Sequence, residues 1–263
     1  MTLKKTIAVN LSRLFQNHTY TSRHGLAKGL RRRGGLAFLP SFVPRSTEMI
    51  KEEEFIASLD LSGETVYDIG ADQGIYTLFF ARKVGATGRV ITFEPNPVSY
   101  SHVVTNVELN QFSNVEVRNV AIGDTPGKLT FAFPGKDPGR GTADELIREQ
   151  ILKEPGSRAV EVAVEALDGL IATDGLPPPT FAKIDVEGFE LQVLRGMSDT
   201  LRNRRPKLFI EIHGADMKAK TANIRQVGAF LLDLGYKIQH VESRQVITID
   251  NVEEAREGHI YCT

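Results

Sequence analysis

The sequence predicts a doubly wound α/β fold on a mostly parallel sheet. Three observations predict it. β-rich runs at Thr65–Ile69, Arg89–Phe93 and 115–122 alternate with helical runs at 74–84 and 98–109. The helical runs carry apolar residues at i, i+3 and i+4, as in Ile75, Leu78 and Phe79, or Val103, Val104 and Val107. Glycines punctuate the junctions, with Gly70 and Gly74 after the first strand and Gly85 and Gly88 before the second. Strand–helix–strand–helix–strand is the first half of such a sheet.

The other elements follow in order. A helix spans 46–59, with Met49, Ile50, Phe55 and Ile56 as an imperfect stripe. Residues 128–133 and 158–164 alternate as strands. The first of these pairs through the turn Asp124-Thr125-Pro126-Gly127. Between them, 134–158 reads as a polar, mobile insertion with a short helical piece at 143–152. Three prolines, Pro177 to Pro179, lead into a buried strand at 181–185. A helix at 190–201, a strand at 207–213 and an amphipathic helix through Ile224, Val227, Phe230, Leu231 and Leu234 come next. Strands at 236–241 and 258–262, with a hairpin-like segment at 246–250, close the chain.

The chain has 263 residues, 41% of them hydrophobic, enough for one sizeable core. Cys262 is the single cysteine, so no intrachain disulfide can form, which fits a reducing compartment. No apolar run approaches the roughly 20 residues of a membrane span. The near-zero net charge conceals an asymmetry. Nine of the 32 basic residues, and none of the 33 acidic ones, precede Glu48. This divides the chain into a basic extension, 1–47, and an acidic body, 48–263. The extension can dock on its own body, meet an anionic partner or address an organelle. Leu26, Leu30, Leu36, Phe38 and Leu39 among the charges favour docking, and with it a cytoplasmic protein.

Four motifs carry chemistry. In Asp68-Ile69-Gly70-Ala71-Asp72-Gln73-Gly74 the spacing is D-x-G-x-x-x-G, not the G-x-G-x-x-G of pyrophosphate cradles. Asp68 puts a carboxylate at a strand end, where it suits a cationic ligand such as an amino group or the sulfonium of S-adenosylmethionine. Glu94, in Phe93-Glu94-Pro95-Asn96, ends the next strand 24 residues after Gly70, where an acid accepts ribose hydroxyls. Asp185 and Glu187 lie two apart in Lys183-Ile184-Asp185-Val186-Glu187-Gly188, so an extended backbone would point them the same way. Glu211 and His213 share a strand face in Phe209-Ile210-Glu211-Ile212-His213. Three acids and a histidine on otherwise apolar strands do not suit a core, because unpaired buried carboxylates are costly.

Taken in order, VYDIGADQGIYTLFFARKVGATGRVITFEPNP, NVEVRNVAIGD, FAKIDVEGFELQVLRGM and PKLFIEIHG resemble an FkbM-type methyltransferase from about Glu53 to Tyr236. The IDVEG block with the later EIH is the more specific part. The resemblance implies a Rossmann-like class I methyltransferase fold: a mostly parallel seven-stranded sheet, an antiparallel C-terminal strand and a β insertion. It implies S-adenosylmethionine as donor and a hydroxyl on a sugar, glycan or natural product as acceptor. It further implies that Asp68, Gly70 and Gly74 hold the donor's amino-acid end. Glu94 and Asn96 would lie at the ribose, and Asn119, Ala121 and Asp124 near the adenine. Asp72-Gln73 departs from the family, which often has Asn and a small or apolar residue there.

For the reaction, His213 is the expected general base, with Glu211 orienting it and Asp185 and Glu187 holding the acceptor hydroxyl. A metal-assisted variant would place a divalent ion on Asp185, Glu187, Glu211 and His213, although the spacing does not require one. Two other classes compete. A nicotinamide-dependent oxidoreductase is allowed by Glu94 but disfavoured by the first loop. A nucleic-acid module led by Arg31-Arg32-Arg33 lacks stacking aromatics and would carry an acidic body.

Overall fold

The computed structural model describes residues 17–34, 47–135 and 140–263. The elements are β1 (Thr19–Thr21), β2 (Arg31–Arg33), α1 (Thr47–Ser58), β3 (Thr65–Ile69), α2 (Ile75–Val84), β4 (Arg89–Phe93), α3 (Pro97–Leu109), β5 (Val115–Arg118), β6 (Ala121–Ile122), β7 (Gly127–Phe133), α4 (Glu145–Leu152), β8 (Arg158–Glu165), α5 (Leu167–Thr173), β9 (Phe181–Ile184), α6 (Glu190–Gly196), α7 (Ser198–Asn203), β10 (Lys207–Glu211), α8 (Met217–Asp233), β11 (Ile238–His240), β12 (Val246–Ile247) and β13 (His259–Cys262).

The main sheet runs β12-β11-β13-β10-β9-β3-β4-β5. From β10 to β5 every pairing is parallel, and β13 pairs antiparallel with both β10 and β11. Seven strands match the expected sheet, and the two-residue β12 extends its edge. Alternation along each strand splits the core. Tyr67, Ile69, Ala182, Ile184, Leu208 and Ile210 face the layer of α5, α6 and α8. Val66, Phe181 and Phe209 face Ile56 of α1 and Phe79 and Phe80 of α2. Asp68, Lys183 and Glu211 therefore emerge on the α1–α2 face, by the period of two.

The middle of the chain corrects three expectations. The single strand at 115–122 is broken in two, because the Asn119 amide donates to the carbonyls of Glu94 and Pro95 at 2.8 and 3.0 Å and turns the chain out of the sheet. β6 then joins a separate sheet, ordered β6-β8-β7. The turn at 124–127 is no hairpin, since β8 lies between its two arms. The helix at 190–201 breaks at Met197, where Gly196 packs against the Gly123 carbonyl so closely that a Cβ would lie 1.9 Å from the oxygen. α5 was not foreseen. The insertion contributes α4, whose first turn is capped by Asp144 accepting from Ile147 N at 2.9 Å.

The described part of the basic extension packs on the body. β1 and β2 form an antiparallel pair, and the backbone of β2 is gripped by α3. Asn110 accepts from Arg31 N and Asn106 from Arg33 N, each at 2.8 Å. Leu26 and Leu30 join the core clusters of α2 and α3, and Arg32 is buried. Leu36, Phe38 and Leu39 lie outside the described residues. Among those described, no helix is long and apolar enough to cross a membrane.

Leu26 loses its contacts with the α2 cluster if truncated. Leu26→Ala should lower stability by roughly 2–5 kcal/mol in urea denaturation, the range of a large-to-small core change. An unchanged midpoint would mean that the extension does not pack against the body.

Candidate active site

The site forms at the carboxyl ends of β3, β4, β9 and β10, where a parallel sheet opens its ligand crevice. Gly70 makes the crevice possible. It has φ +81°, and a Cβ there would lie 1.8 Å from the Asp185 carbonyl oxygen, so only glycine lets the β3 and β9 loops touch. Gly74 turns the chain into α2 with φ +80° and packs against Val103.

Two cavities flank the Gly70 loop. The larger, about 270 Å³, lies between Gly70, Glu94, Ala121, Phe131, Asp185 and Glu187. The second, about 200 Å³, lies between Glu52 of α1, Gly70, Asp72, Tyr76 of α2, Lys183 and Asp185. Gly70, Asp72 and Asp185 line both, so the two adjoin and together make up the cleft at this edge of the sheet.

Beneath the cleft sits Lys183, buried among acids. Its Nζ donates to the Gly70 carbonyl and to Asp185 Oδ2, both at 3.0 Å, and lies 3.7 Å from Asp68 Oδ1. It also stands 4.9 Å above the Tyr76 ring. Burial alone would lower its pKa, but Asp185 and Asp68 outweigh burial and raise it. Asp68 is fully buried and accepts from Thr77 Oγ1 at 2.6 Å. Its carboxylate lines neither cavity and lies under the Gly70 loop.

Glu94 stands where expected, at the end of β4 and at the wall of the larger cavity. Its two oxygens accept from Asn96 N and Asp72 N, each at 2.8 Å. Burial pushes its carboxyl up to about 8, against the lowering effect of those bonds. Asn96 caps α3 by accepting from Val98 N at 3.0 Å, and is not at the cleft surface. Of the three residues assigned to the adenine, Ala121 lines the cavity. Asn119 instead holds the loop through Glu94 O, and Asp124 is exposed.

Asp185 and Glu187 both line the larger cavity, but not by extended backbone. β9 ends at Ile184, and Glu187 has φ +52° in a tight turn with Gly188. The turn still aims both carboxylates at His213, whose Nε2 lies 3.8 Å from Asp185 Oδ1 and from Glu187 Oε2, and 3.4 Å from Glu211 Oε1. The His213 Nδ1 faces Glu190 Oε1 at 3.1 Å. Burial works against an imidazolium here, but Glu190, Glu211 and Asp185 raise the pKa well above the usual histidine value. Burial pushes Glu187 up to about 7, although His213 pulls it down. Among the described residues, Asp185, Glu211 and His213 form a group that can hold a metal ion.

Sequence reasoning passed over several site residues. Asp72, with φ +48°, lines both cavities. Lys183 was visible as a cation in an apolar strand. Glu190 is fully buried under His213, where Gly188 N and Asn223 Nδ2 donate to it at 3.0 and 2.6 Å. Phe131 reaches the cleft from β7 and Arg140 and Gly141 from the insertion, and no periodicity marks such long-range contacts.

A parallel sheet in this order, with one antiparallel strand near its end and an acid beside the glycine loop, defines the Rossmann-like class I methyltransferase fold. The chain belongs to the methyltransferase FkbM domain family, whose model matches residues 68–238. It is 29% identical to the 31-O-demethyl-FK506 methyltransferase FkbM of Streptomyces tacrolimicus, over 59% of this chain and 67% of that one. It is 26% identical to the hexuronic acid methyltransferase AglP of Haloferax volcanii, over 60% of each. The structure of a methyltransferase FkbM from Methylobacillus flagellatus KT has the same fold, with a TM-score of 0.51 and 19% identity over 79% of this chain and 45% of that one. The chain spans 58% to 67% of the length of the curated relatives it matches.

Glu94 gives a stability prediction with a definite sign. Its folded pKa of about 8 lies above the ordinary 4.5, so the fold favours the protonated form. That contribution is complete below about pH 4.5 and is lost as pH rises through about 8. Glu94→Gln removes the titration, so its melting temperature relative to wild type should climb between pH 5 and pH 9. A difference independent of pH would refute the burial of an ionisable Glu94.

Proposed function

We propose that this chain transfers the methyl group of S-adenosylmethionine to a hydroxyl oxygen of a saccharide or natural-product acceptor. The observation that carries the reading is that two cavities adjoin at Gly70, Asp72 and Asp185, one bounded by Glu94, Asp185 and Glu187 and the other by Glu52 and Lys183. An elongated nucleoside with a charged tail fits that shape. Glu94 would accept from the ribose hydroxyls, with Ala121 and Phe131 against the base. The tail would cross the Gly70 loop toward Lys183, a cation for its carboxylate, and Glu52, an acid for its amino group. Asp68 takes the part of a positioning residue, since it holds Lys183 and Thr77 below the floor.

The donor supplies an electrophilic methyl carbon, which forms a bond to the acceptor oxygen as the carbon–sulfur bond breaks and its electron pair stays on sulfur. The chain's task is to align the hydroxyl and take its proton. His213 is poorly placed to be the base. Glu190 occupies its Nδ1, and three carboxylates face its Nε2, an arrangement that favours a cation. Glu187 lines the cleft beside Asp185 and is the proton acceptor in this reading, with His213 holding the carboxylates in place. The names of two relatives, hexuronic acid methyltransferase and 31-O-demethyl-FK506 methyltransferase, support an oxygen-bearing acceptor.

Calorimetric titration with S-adenosylhomocysteine should show one site per chain, while NAD gives no heat. Glu94→Ala should weaken that binding at least about tenfold, the scale of a lost pair of buried hydrogen bonds. Absence of binding by the wild type would overturn the reading. Glu187→Gln should lower methyl transfer to a panel of uronate glycosides and macrolide hydroxyls by about 10²–10⁴-fold while S-adenosylhomocysteine still binds. Comparable rates in that variant would remove Glu187 from the base role.

A further inference from the structure

We propose that Asp185, Glu211 and His213 bind one divalent cation of the Mg²⁺ or Mn²⁺ type at the acceptor end of the cleft. This rests on the methyl-transfer reading, in which the ion would hold the acceptor hydroxyl.

One donor atom from each of the three residues lies within 4.8 Å of the others. An octahedral ion with donors at about 2.1 Å sets adjacent donors about 3 Å apart and opposite ones about 4.2 Å apart. The Nε2 of His213 already stands 3.4 Å from Glu211 Oε1 and 3.8 Å from Asp185 Oδ1, so small side-chain rotations bring all three onto one ion.

A second observation concerns the other atom of each ligand. Asp185 Oδ2 accepts from Lys183 Nζ at 3.0 Å. Glu211 Oε2 faces His259 Nε2 at 3.5 Å. His213 Nδ1 faces Glu190 Oε1 at 3.1 Å. Lys183, His259 and Glu190 are themselves buried. His259 is stacked on Phe209, with ring centroids 4.8 Å apart, and its Nδ1 meets Glu242 at 2.7 Å. Glu190 is fastened by Asn223 and Gly188. Each ligand is thus oriented by its own anchored partner, with the remaining donor atom turned inward. Such outer partners are characteristic of metal sites, where they fix the histidine tautomer and the carboxylate pose.

Charge points the same way. Asp185, Glu187 and Glu211 all face the Nε2 edge of His213, so a divalent ion that displaces the Nε2 proton adds one positive charge among three carboxylates. Two carboxylates and one imidazole, with no thiolate, suit a hard octahedral ion. Of the three ligands Asp185 also lines the larger cavity, which would set an ion held there at the cavity's edge. A hydroxyl bound there would lose its proton more readily.

The test is titration of chelator-treated full-length protein with MnCl₂, followed by calorimetry and by the electron paramagnetic resonance signal of free Mn²⁺. One saturable site per chain is expected. It should weaken by at least about tenfold in Glu211→Gln and in Asp185→Asn. S-adenosylhomocysteine binding, measured in EDTA, reports separately on folding and on the donor cavity of each variant. Intact S-adenosylhomocysteine binding with no saturable Mn²⁺ binding below about 1 mM would overturn the metal site and leave the donor reading standing. Equal Mn²⁺ affinity in wild type and Glu211→Gln would mean an adventitious ion only, and would also overturn it. Mn²⁺ binding as expected in a protein that ignores S-adenosylhomocysteine would uphold the ion site and refute the donor reading instead.

Discussion

The buried ammonium of Lys183 is the contact on which the cleft depends. It meets Asp185 from its own strand, the Gly70 carbonyl from the neighbouring one, and Asp68 behind them. Two carboxylates on adjacent parallel strands would otherwise repel each other in a low-dielectric interior. With the cation between them, the β3 loop and the β9 loop close to van der Waals contact at Gly70. That closure sets the floor shared by both cavities. The Gly70 loop and the carboxylates around His213 are thus one electrostatic unit rather than two sets of charges that happen to be neighbours.

A second set of charges ties the cluster to the outer strands. Glu211 lies between His213 and His259, His259 lies between Glu211, Glu52 and Glu242, and Glu242 lies beside His240. Burial by itself would disfavour the charge on His259, but Glu211, Glu242 and Glu52 push it up to about 10. The alternation of acid and imidazole spans β10, β13 and β11 and reaches α1 through Glu52. Glu52 also bonds Tyr76 at the mouth of the second cavity. The docked extension, through Leu26, and the first helix therefore border the same cavity as the donor loop.

The small sheet of β6, β8 and β7 covers the other end. It brings Phe131 to the cleft, and Thr142 Oγ1 donates to the Glu187 carbonyl at 2.6 Å, pinning the turn that carries Glu187. From the insertion, Arg140, Gly141 and Ala143 line the same cavity.

The sequence by itself determined the alternation of strands and helices, the strand ends that carry Asp68, Glu94, Asp185 and Glu211, and the family. These are local matters: period, glycine punctuation and motif spacing are written within short windows. Tertiary structure decided what each acid does. Asp68 and Asp185 look alike in sequence, yet one is sealed under the floor by Thr77 and Lys183 while the other borders both cavities. Asn119 looked like a ligand residue and is a loop brace. His213 looked like a free base and is held among four carboxylates, one of them Glu190 from a helix start that no motif singled out. The role of an ionisable group depends on burial and on charges brought from distant segments, and those are fixed only when the chain has folded.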